Sequence, residues 1–269
     1  MKLLTLARDL QRRKGRERQQ RFVAEGVRAV ETLLASPLAI TGMLASPDGA
    51  SDARRARLLT EARARGIPVL EVTESELLSA ADTESPQGVL AVAEIPTRRL
   101  PDPMPRQARL LILDALQDPG NVGTVIRTAA ALEVTATIAL PGTVDLWNAK
   151  VVRGSMGALF QHPALAMSWA ECAAALAAQG FGILAADTDG QPLEEMLRAG
   201  IPDRVALVVS NEGAGLSPEV ASAVTRRVAI AMAPEVESLN VGVATGILLH
   251  GLREGQRGEP VATGPSGSS

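Results

Sequence analysis

Four continuous apolar runs of strand length limit the fold of this chain more than any other feature. They cover residues 110–113, 137–140, 181–185 and 205–209. Helical patterns, such as those over 122–133 and 169–179, separate them. Strands that are apolar along their whole length are typical of parallel sheets covered on both faces by crossover helices. The sequence therefore predicts an α/β domain with a parallel sheet in the second half of the chain.

The first half predicts a second, smaller α/β unit. Helical patterns cover residues 3–20, 27–35 and 52–65, and short strands are expected at 22–24, 38–45, 67–72 and 88–93. Between the halves, residues 96–108 contain four prolines, which a helix or a central strand does not tolerate. We therefore predict an N-terminal domain over 1–95, a Pro-rich linker over 96–108, a second domain over 109–254 and a disordered tail over 255–269.

Composition excludes several classes of protein. One cysteine among 269 residues cannot form an internal disulfide, and two histidines beside it give no zinc-ligand spacing. We therefore expect no metal. The apolar start of the chain meets Arg8 and Asp9 at once, which argues against a signal peptide or a membrane span. These features predict a soluble, cytoplasmic protein.

Positive charge is concentrated at the N-terminus. The net charge of the chain is −3, but residues 1–30 hold nine Lys and Arg against three acids. Such a cluster is the electrostatic signature of a phosphate-binding surface, although a solvated helix face is the alternative. With no tyrosine and three phenylalanines, platforms for stacking bases are scarce. Any recognition of nucleic acid should then depend on backbone and shape.

A polar segment over residues 118–127 follows the first predicted strand of the second half. Open α/β sheets bind ligands at such strand-to-helix positions. Gly120 and Gly123 allow close backbone approach, and Asn121 is a predicted N-cap. Arg127 in the second turn can hold a phosphate or assist removal of a proton from a sugar hydroxyl. A plain cap with a surface arginine is the alternative.

Two further segments have the same character. Residues 210–216 form a Gly-rich turn without the Lys-Ser/Thr of a P-loop, which disfavours a nucleoside triphosphate and favours backbone contacts to adenine or ribose. Glu212 is its one charged group, and capping the next helix is the alternative role. In residues 238–246, Ser238 is a predicted N-cap, and Gly242 and Gly246 predict a close packing contact.

Other chemistry has little support. Gly154-Ser155-Met156-Gly157 is not a Gly-x-Ser-x-Gly nucleophile elbow, and neither histidine has an obvious triad partner. We therefore expect His162 and His250 to be structural.

In order, context and spacing, the three segments resemble the motifs of the SpoU/TrmH family of RNA 2′-O-methyltransferases over residues 109–254. Residues 21–30 and 83–89 resemble the substrate-binding domain that many of these enzymes carry. The resemblance implies a trefoil knot in the second domain, S-adenosylmethionine bound in the knot, and a homodimer. It also implies methylation of a ribose 2′-hydroxyl, with 23S ribosomal RNA favoured over transfer RNA because of the separate N-terminal domain.

The resemblance also assigns roles to individual residues. It implies a catalytic set of Asn121, Arg127, Glu212, Ser238 and Asn240. It implies cofactor contacts, largely from backbone, at Ser210, Asn211, Gly213, Ile230 and Leu239. RNA contacts are expected from Arg12, Arg13, Lys14, Arg16, Arg18, Arg21, Lys150 and Arg153. The family usually has glycine where this chain has Ser210, and serine costs free energy if the turn requires a positive φ.

Three alternatives remain open. The first is a tRNA 2′-O-methyltransferase, and the second is a non-catalytic RNA-binding protein that keeps the fold. The third is an α/β nucleotide-binding enzyme of another class, which lacks its motifs in this sequence.

Overall fold

The computed structural model describes residues 2–47, 53–84, 86–211 and 215–258. Its contacts divide the chain into two compact units. The first unit contains residues 1–98, 118–127 and 144–162, and the second contains 99–117, 128–143 and 163–269. The predicted domain boundaries stay a prediction, and the two units are described separately below.

The helices of the described residues alternate with the strands along the chain. They are α1 (Leu3–Asp9), α2 (Arg13–Gln19), α3 (Val27–Leu34), α4 (Ala53–Ala64), α5 (Glu74–Leu78), α6 (Pro119–Ala131), α7 (Ala149–Gly154), α8 (Trp169–Ala178), α9 (Leu193–Ala199), α10 (Pro218–Ala223) and α11 (Val241–Arg257). A short 3₁₀ turn covers Ala158–Phe160. None of these helices has the length and apolar content needed to cross a membrane.

The strands form one sheet in each unit. They are β1 (Arg21–Glu25), β2 (Ile40–Ala45), β3 (Val69–Glu71), β4 (Val89–Glu94), β5 (Ala108–Asp114), β6 (Ala136–Ala139), β7 (Ala164–Ala166), β8 (Gly182–Pro192), β9 (Arg204–Ser210) and β10 (Arg226–Ala229). The first sheet has the order β1-β4-β2-β3 and is mixed. The second has the order β10-β8-β9-β5-β6-β7, and all its neighbouring strands are parallel. The predicted α/β class with a parallel sheet is confirmed.

Burial on both faces explains the apolar runs of the second sheet. Consecutive residues of β5 from Leu110 to Leu113 are at most 1% exposed. On one side of the sheet, Ile112, Ile138 and Val208 pack in a cluster that includes Leu176 of α8. Parallel strands in the middle of a covered sheet have no solvent face, so alternating polar residues are not expected there.

Two predicted helix starts are wrong by two or three residues. Helix α6 begins at Pro119, and the Asp118 carboxylate accepts a hydrogen bond from the Asn121 backbone N at 2.7 Å. Asp118 therefore performs the capping that was predicted for Asn121. In α11 the cap is Asn240, whose Oδ1 accepts a hydrogen bond from Gly242 N at 2.9 Å, and not Ser238.

Other element boundaries also differ from expectation. The predicted helix over residues 3–20 is two helices, because α1 ends at Asp9 and α2 begins at Arg13. Helix α11 continues to Arg257, three residues into the segment assigned to the tail, and residues 259–269 lie outside the described residues.

Helix α11 packs closely on its neighbour in the second unit at two glycines near its C-terminal end. A Cβ added at Gly251 would lie 2.6 Å from Leu193 Cδ2, and one at Gly255 would lie 2.7 Å from Leu197 Cδ2. At Gly246 the nearest atom, Thr128 Cγ2, would be 3.6 Å away, an ordinary contact. Gly251 and Gly255 thus allow α11 to pack closely on α9.

In the first unit, a segment from the second half of the sequence completes the core. The ring of Phe22 on β1 lies 4.5 Å from that of Trp147 and 5.8 Å from that of Phe160, measured between centroids. The buried guanidinium of Arg16 pairs with Asp145 at 2.6 Å. Residues 144–162 therefore belong structurally with the N-terminal sheet.

A linker residue is fixed in the same unit. The guanidinium of Arg98 donates to the carbonyl oxygens of Leu159, at 2.9 Å, of Phe160, at 3.0 Å, and of His162. It also lies 5.8 Å from the ring centroid of Trp147. Burial lowers the pKa of Arg98. The three carbonyl contacts anchor the start of the Pro-rich segment.

Candidate active site

A cavity of about 340 Å³ opens in the second unit beside the carboxyl ends of β9 and β10; we call it the second-unit cavity. Its volume is within the range of about 300–1,000 Å³ that is typical of small-ligand pockets. Five residues of the sequence-based prediction line it together: Ser210, Asn211, Ile230, Ser238 and Leu239. Apolar side chains, including Val209, Leu216, Val228 and Leu248, form much of the remaining wall.

Backbone contacts hold three described residues that follow β9: Asn211, Gly215 and Ser217. Asn211 pairs with Gly215 in an isolated antiparallel bridge, and Gly215 N donates to the Asn211 carbonyl oxygen at 2.9 Å. Gly215 has a φ of +67°, which suits glycine. On the far side of the loop, Ser217 N donates to Oδ2 of the buried Asp114 at 2.7 Å. Gly215 and Ser217 are thus held by the end of β9 and the end of β5, respectively.

Ser210 itself does not need a left-handed backbone. It is the last residue of β9, in register with Asp114 of β5, and it is absent from the residues with positive φ. Replacing the usual glycine by serine at this position therefore costs no backbone strain.

The third segment enters the cavity just before α11. Ser238 and Leu239 line the wall, and Asn240 follows as the N-cap. Val241, Ala244 and Leu248 continue the lining along the first turns of the helix. Since the Asn240 side chain already accepts the Gly242 N–H, part of its hydrogen-bonding capacity holds the helix start in place.

Sequence reasoning missed a charged pair in the wall of the cavity. Asp187 on β8 and Arg227 on β10 both line the cavity and form an ion pair. Thr188 and Met232 also line it. The available signal was the polar run 187–189 directly after the apolar strand residues 183–186. The predicted strand ended at Ala185, whereas β8 continues through this polar run to Pro192.

The cavity wall combines one opposite-charge pair with a mainly apolar surface. An ammonium and a carboxylate on one ligand would each find an opposite charge at Asp187 and Arg227. The apolar residues and the uncharged Ser210, Asn211 and Ser238 suit a flat, neutral ring system with hydroxyl groups. Among the described residues, no group of three or more His, Cys, Asp or Glu side chains is placed to hold a metal ion.

Asn121 and Arg127 lie on α6, within the part of that helix that belongs to the first unit. Val122, Val125 and Ile126 form its fully buried face, as the pattern predicted, and Arg127 is exposed. Glu212 and Gly213 lie outside the described residues, so their predicted roles have no structural counterpart here.

The predicted RNA-contacting residues differ in accessibility. Arg12, Arg13, Lys14, Arg18 and Lys150 are exposed, and Arg21 and Arg153 are partly buried. Arg16 is different, because its side chain is 5% exposed and donates to Asp145 and to the carbonyl oxygens of Leu10 and Gln11. We therefore assign Arg16 to the framework of the first unit.

Comparison with known proteins gives two family matches along this chain. The SpoU rRNA Methylase family model matches residues 108–250, and the MRM3-like substrate binding domain model matches residues 5–91. The first span contains the residues of the second-unit cavity, and the second contains most of the mixed sheet but only the start of β4.

Individual relatives agree with these matches. The 23S rRNA (guanosine(2553)-2′-O)-methyltransferase RlmP of Bacillus subtilis is 31% identical over 245 residues, which cover 91% of this chain and 93% of the relative. The 23S rRNA (guanosine-2′-O-)-methyltransferase RlmB of Xanthomonas campestris is 33% identical over 211 residues, with 75% and 83% covered. A crystal structure of an AdoMet-bound rRNA methyltransferase from Sinorhizobium meliloti is 28% identical, with a TM-score of 0.80 and 94% of each chain covered. The chain belongs to the SpoU rRNA methylase family.

Proposed function

We propose that this protein transfers a methyl group from S-adenosylmethionine to a ribose 2′-hydroxyl of 23S ribosomal RNA. The observation that carries the proposal is the second-unit cavity, whose wall is built from two of the three motif segments. Family membership and the names of relatives that act on 23S rRNA support the same substrate. A protein that modifies this RNA would work in the cytoplasm.

The residues of the cavity fit S-adenosylmethionine. The cofactor has a flat adenine, a ribose and a methionine part with an ammonium and a carboxylate. The apolar wall and the polar groups of Ser210 and Asn211 suit the adenosine, and the Asp187–Arg227 pair suits the two charges. We assign cofactor contacts to Ser210, Asn211, Ile230 and Leu239, and we add Asp187 and Arg227 to them.

The chemistry required of the protein is modest. When bound, the sulfonium of S-adenosylmethionine supplies an already activated methyl group. The protein must orient the ribose, exclude water and lower the cost of removing the hydroxyl proton. We assign the last task to Arg127, which is exposed on α6, and Asn121 lies six residues earlier on the same helix. Ser238 is the hydroxyl of the predicted set that lines the cavity.

We also propose that the protein is a homodimer with a trefoil knot in the second unit, as the family resemblance implies. Two exposed apolar side chains one turn apart on α11, Val243 and Ile247, support self-association, because they are 53% and 40% exposed. Removing them from water would contribute to the free energy of association.

The test is a methyl-transfer assay on purified protein. We would incubate it with total RNA and with ribosomal particles in the presence of methyl-labelled S-adenosylmethionine. Label should appear in a dinucleotide that resists alkali, since a 2′-O-methyl group blocks cleavage of the adjacent phosphodiester. The position of that dinucleotide identifies the target RNA.

Arg127→Ala should lose transfer and still bind S-adenosylmethionine in calorimetry. Arg63→Ala is the matched control, because Arg63 is an exposed helix arginine paired with Glu71 in the first unit. Label in transfer RNA instead would move the substrate to that class. Cofactor binding without transfer to any RNA would favour the non-catalytic RNA-binding alternative.

A further inference from the structure

A second cavity, of about 410 Å³, lies entirely within the first unit; we call it the first-unit cavity. It is bordered by the β1–α3 junction at Gly26, the loop containing Thr83 and Gln87, and the end of α7 at Arg153 and Met156. Its volume is again in the range of small-ligand pockets. The side chains of Thr83, Gln87, Arg153 and Met156 have no role in the methyl-transfer site described above.

The charges around this cavity are nearly balanced. Arg28, Arg54 and Arg153 line it together with Glu25 and Glu31. Arg54 pairs with Glu31, and Arg153 pairs with Asp82 at 3.1 Å. Such pairs reduce the net positive charge that this wall offers to a phosphate. The balance favours a ligand group that is polar but uncharged.

Hydrogen-bonding groups remain available in the wall. Gln87 accepts a hydrogen bond from Val27 N through Oε1 at 3.3 Å, which leaves its two N–H donors for other partners. Arg153 Nη1 is buried without a hydrogen-bond acceptor and lies 4.0 Å from Glu25 Oε2. Buried donors of this kind are rare in native proteins and invite a ligand acceptor.

Met156 gives the cavity an apolar surface. Its side chain is 55% exposed, and its φ of +52°, two residues after the end of α7, is uncommon for a residue other than glycine. The preceding Ser155 is fully buried and donates to the Val152 carbonyl oxygen at 2.8 Å, which fixes the turn. An exposed thioether beside polar groups is suited to contact the face or edge of an aromatic ring.

The aromatic side chains of the first unit cannot take this role. Phe22, Trp147 and Phe160 are at most 7% exposed and pack on one another. The chain has no tyrosine. A base in the first-unit cavity would therefore lie against a group other than an aromatic ring, and the exposed Met156 lines this cavity.

We propose that the first-unit cavity receives the base of an unpaired nucleotide of the RNA substrate. The base lies against Met156, and Gln87 and Arg153 bind its polar edge. The exposed Arg28 lies at the same cavity for the adjoining phosphate. Unpaired bases are the usual targets of RNA recognition, because their edges and faces are accessible. The inference rests on the proposed function for its RNA substrate, but its site is separate from the methyl-transfer site.

Methionine methyl NMR on the full chain tests the proposal directly. Each of the four 5′-ribonucleoside monophosphates is added to protein saturated with S-adenosylmethionine. The methyl signal of Met156, assigned from its loss in Met156→Leu, should move upfield because it lies over the ring of a bound base. Ribose 5-phosphate should leave the signal in place.

Met232 provides the internal control, since it lines the second-unit cavity. Its methyl signal should respond to S-adenosylmethionine. If it does, and no nucleotide moves Met156, the base-binding proposal is overturned while the proposed function stands. An equal effect of ribose 5-phosphate also overturns it. A nucleotide response at Met156 without a response at Met232 would retain the base site and count against the cofactor site.

A second measurement uses RNA itself. Met156→Ala should bind 23S rRNA about threefold to tenfold more weakly, as expected for loss of one thioether–ring contact. Met156→Leu, which keeps most of the bulk, should lose less. Arg63→Ala controls for general loss of charge away from the cavity. Unchanged affinity of folded Met156→Ala contradicts the proposal, as does an equal loss in Arg63→Ala.

Discussion

Gly123 of the first motif offers a sharp test of what a motif glycine does. A Cβ at this position would lie 2.9 Å from the Gly154 Cα and C atoms and 2.9 Å from the Val151 carbonyl oxygen. All three are backbone atoms of α7, so no side-chain rotation can relieve the contact. Gly123 therefore allows α6 and α7 to cross closely, and Gly123→Ala should force them apart.

The expected magnitude follows from two opposing effects. Overpacking costs about 1–3 kcal/mol, and we take about 2–3 kcal/mol because the contacts are to backbone. Alanine returns about 1 kcal/mol through its higher helix propensity. The net loss of about 1–2 kcal/mol should lower the midpoint of thermal unfolding by about 3–6 °C.

Circular dichroism at 222 nm measures the midpoint, with Thr124→Ala as the control. Thr124 is the exposed neighbour on the same helix, and its replacement should change stability by less than about 0.5 kcal/mol. The packing argument fails if Gly123→Ala unfolds at the wild-type temperature. If that stable variant also fails to bind S-adenosylmethionine, the glycine serves the ligand and not the helix contact.

Two further predictions concern stability and assembly. Burial of His162, followed by the nearby charge of Arg98, lowers its pKa from 6.5 to about 4. The unfolded state therefore binds a proton more readily than the folded state. The free energy of unfolding should be unaffected by this histidine above pH 6.5 and should fall by about 3 kcal/mol as the pH decreases to 4. Urea unfolding at pH 7 and pH 4 should show a larger loss for wild type than for His162→Gln, and parallel curves would contradict the assignment. Sedimentation should show a dimer that Val243→Asp shifts toward monomer while Val236→Asp, 44% exposed but outside α11, does not; a monomeric wild type would refute the dimer.

The sheet of the second unit was predictable because burial on both faces leaves a direct mark on composition. A strand such as β5 has to be apolar at every position from Leu110 to Leu113. The mixed sheet was also predictable, since short apolar segments alternate with helices that end at glycine, as at Gly66.

Cap positions and glycine partners were less predictable. Asp118 and Asn121 are both good N-cap residues, and so are Ser238 and Asn240. Which of them caps depends on where the chain turns, which local sequence does not specify. Gly123 looked like a site for ligand approach because its partner, Gly154, comes from a helix about thirty residues later. Polar residues such as Asp187 were missed because β8 passes from a buried to an exposed environment within one strand.

The first unit combines residues 1–98 with residues 118–127 and 144–162, and this sets an order for its folding during synthesis. When the ribosome has made residues 1–98, Phe22 still lacks Trp147 and Phe160, and Arg16 lacks Asp145. A buried arginine without its partner is strongly destabilising. The core around the N-terminal sheet therefore stays incomplete until more than sixty further residues have left the exit tunnel. Until then, Phe22 and Arg16 remain without the contacts that residues 144–162 supply.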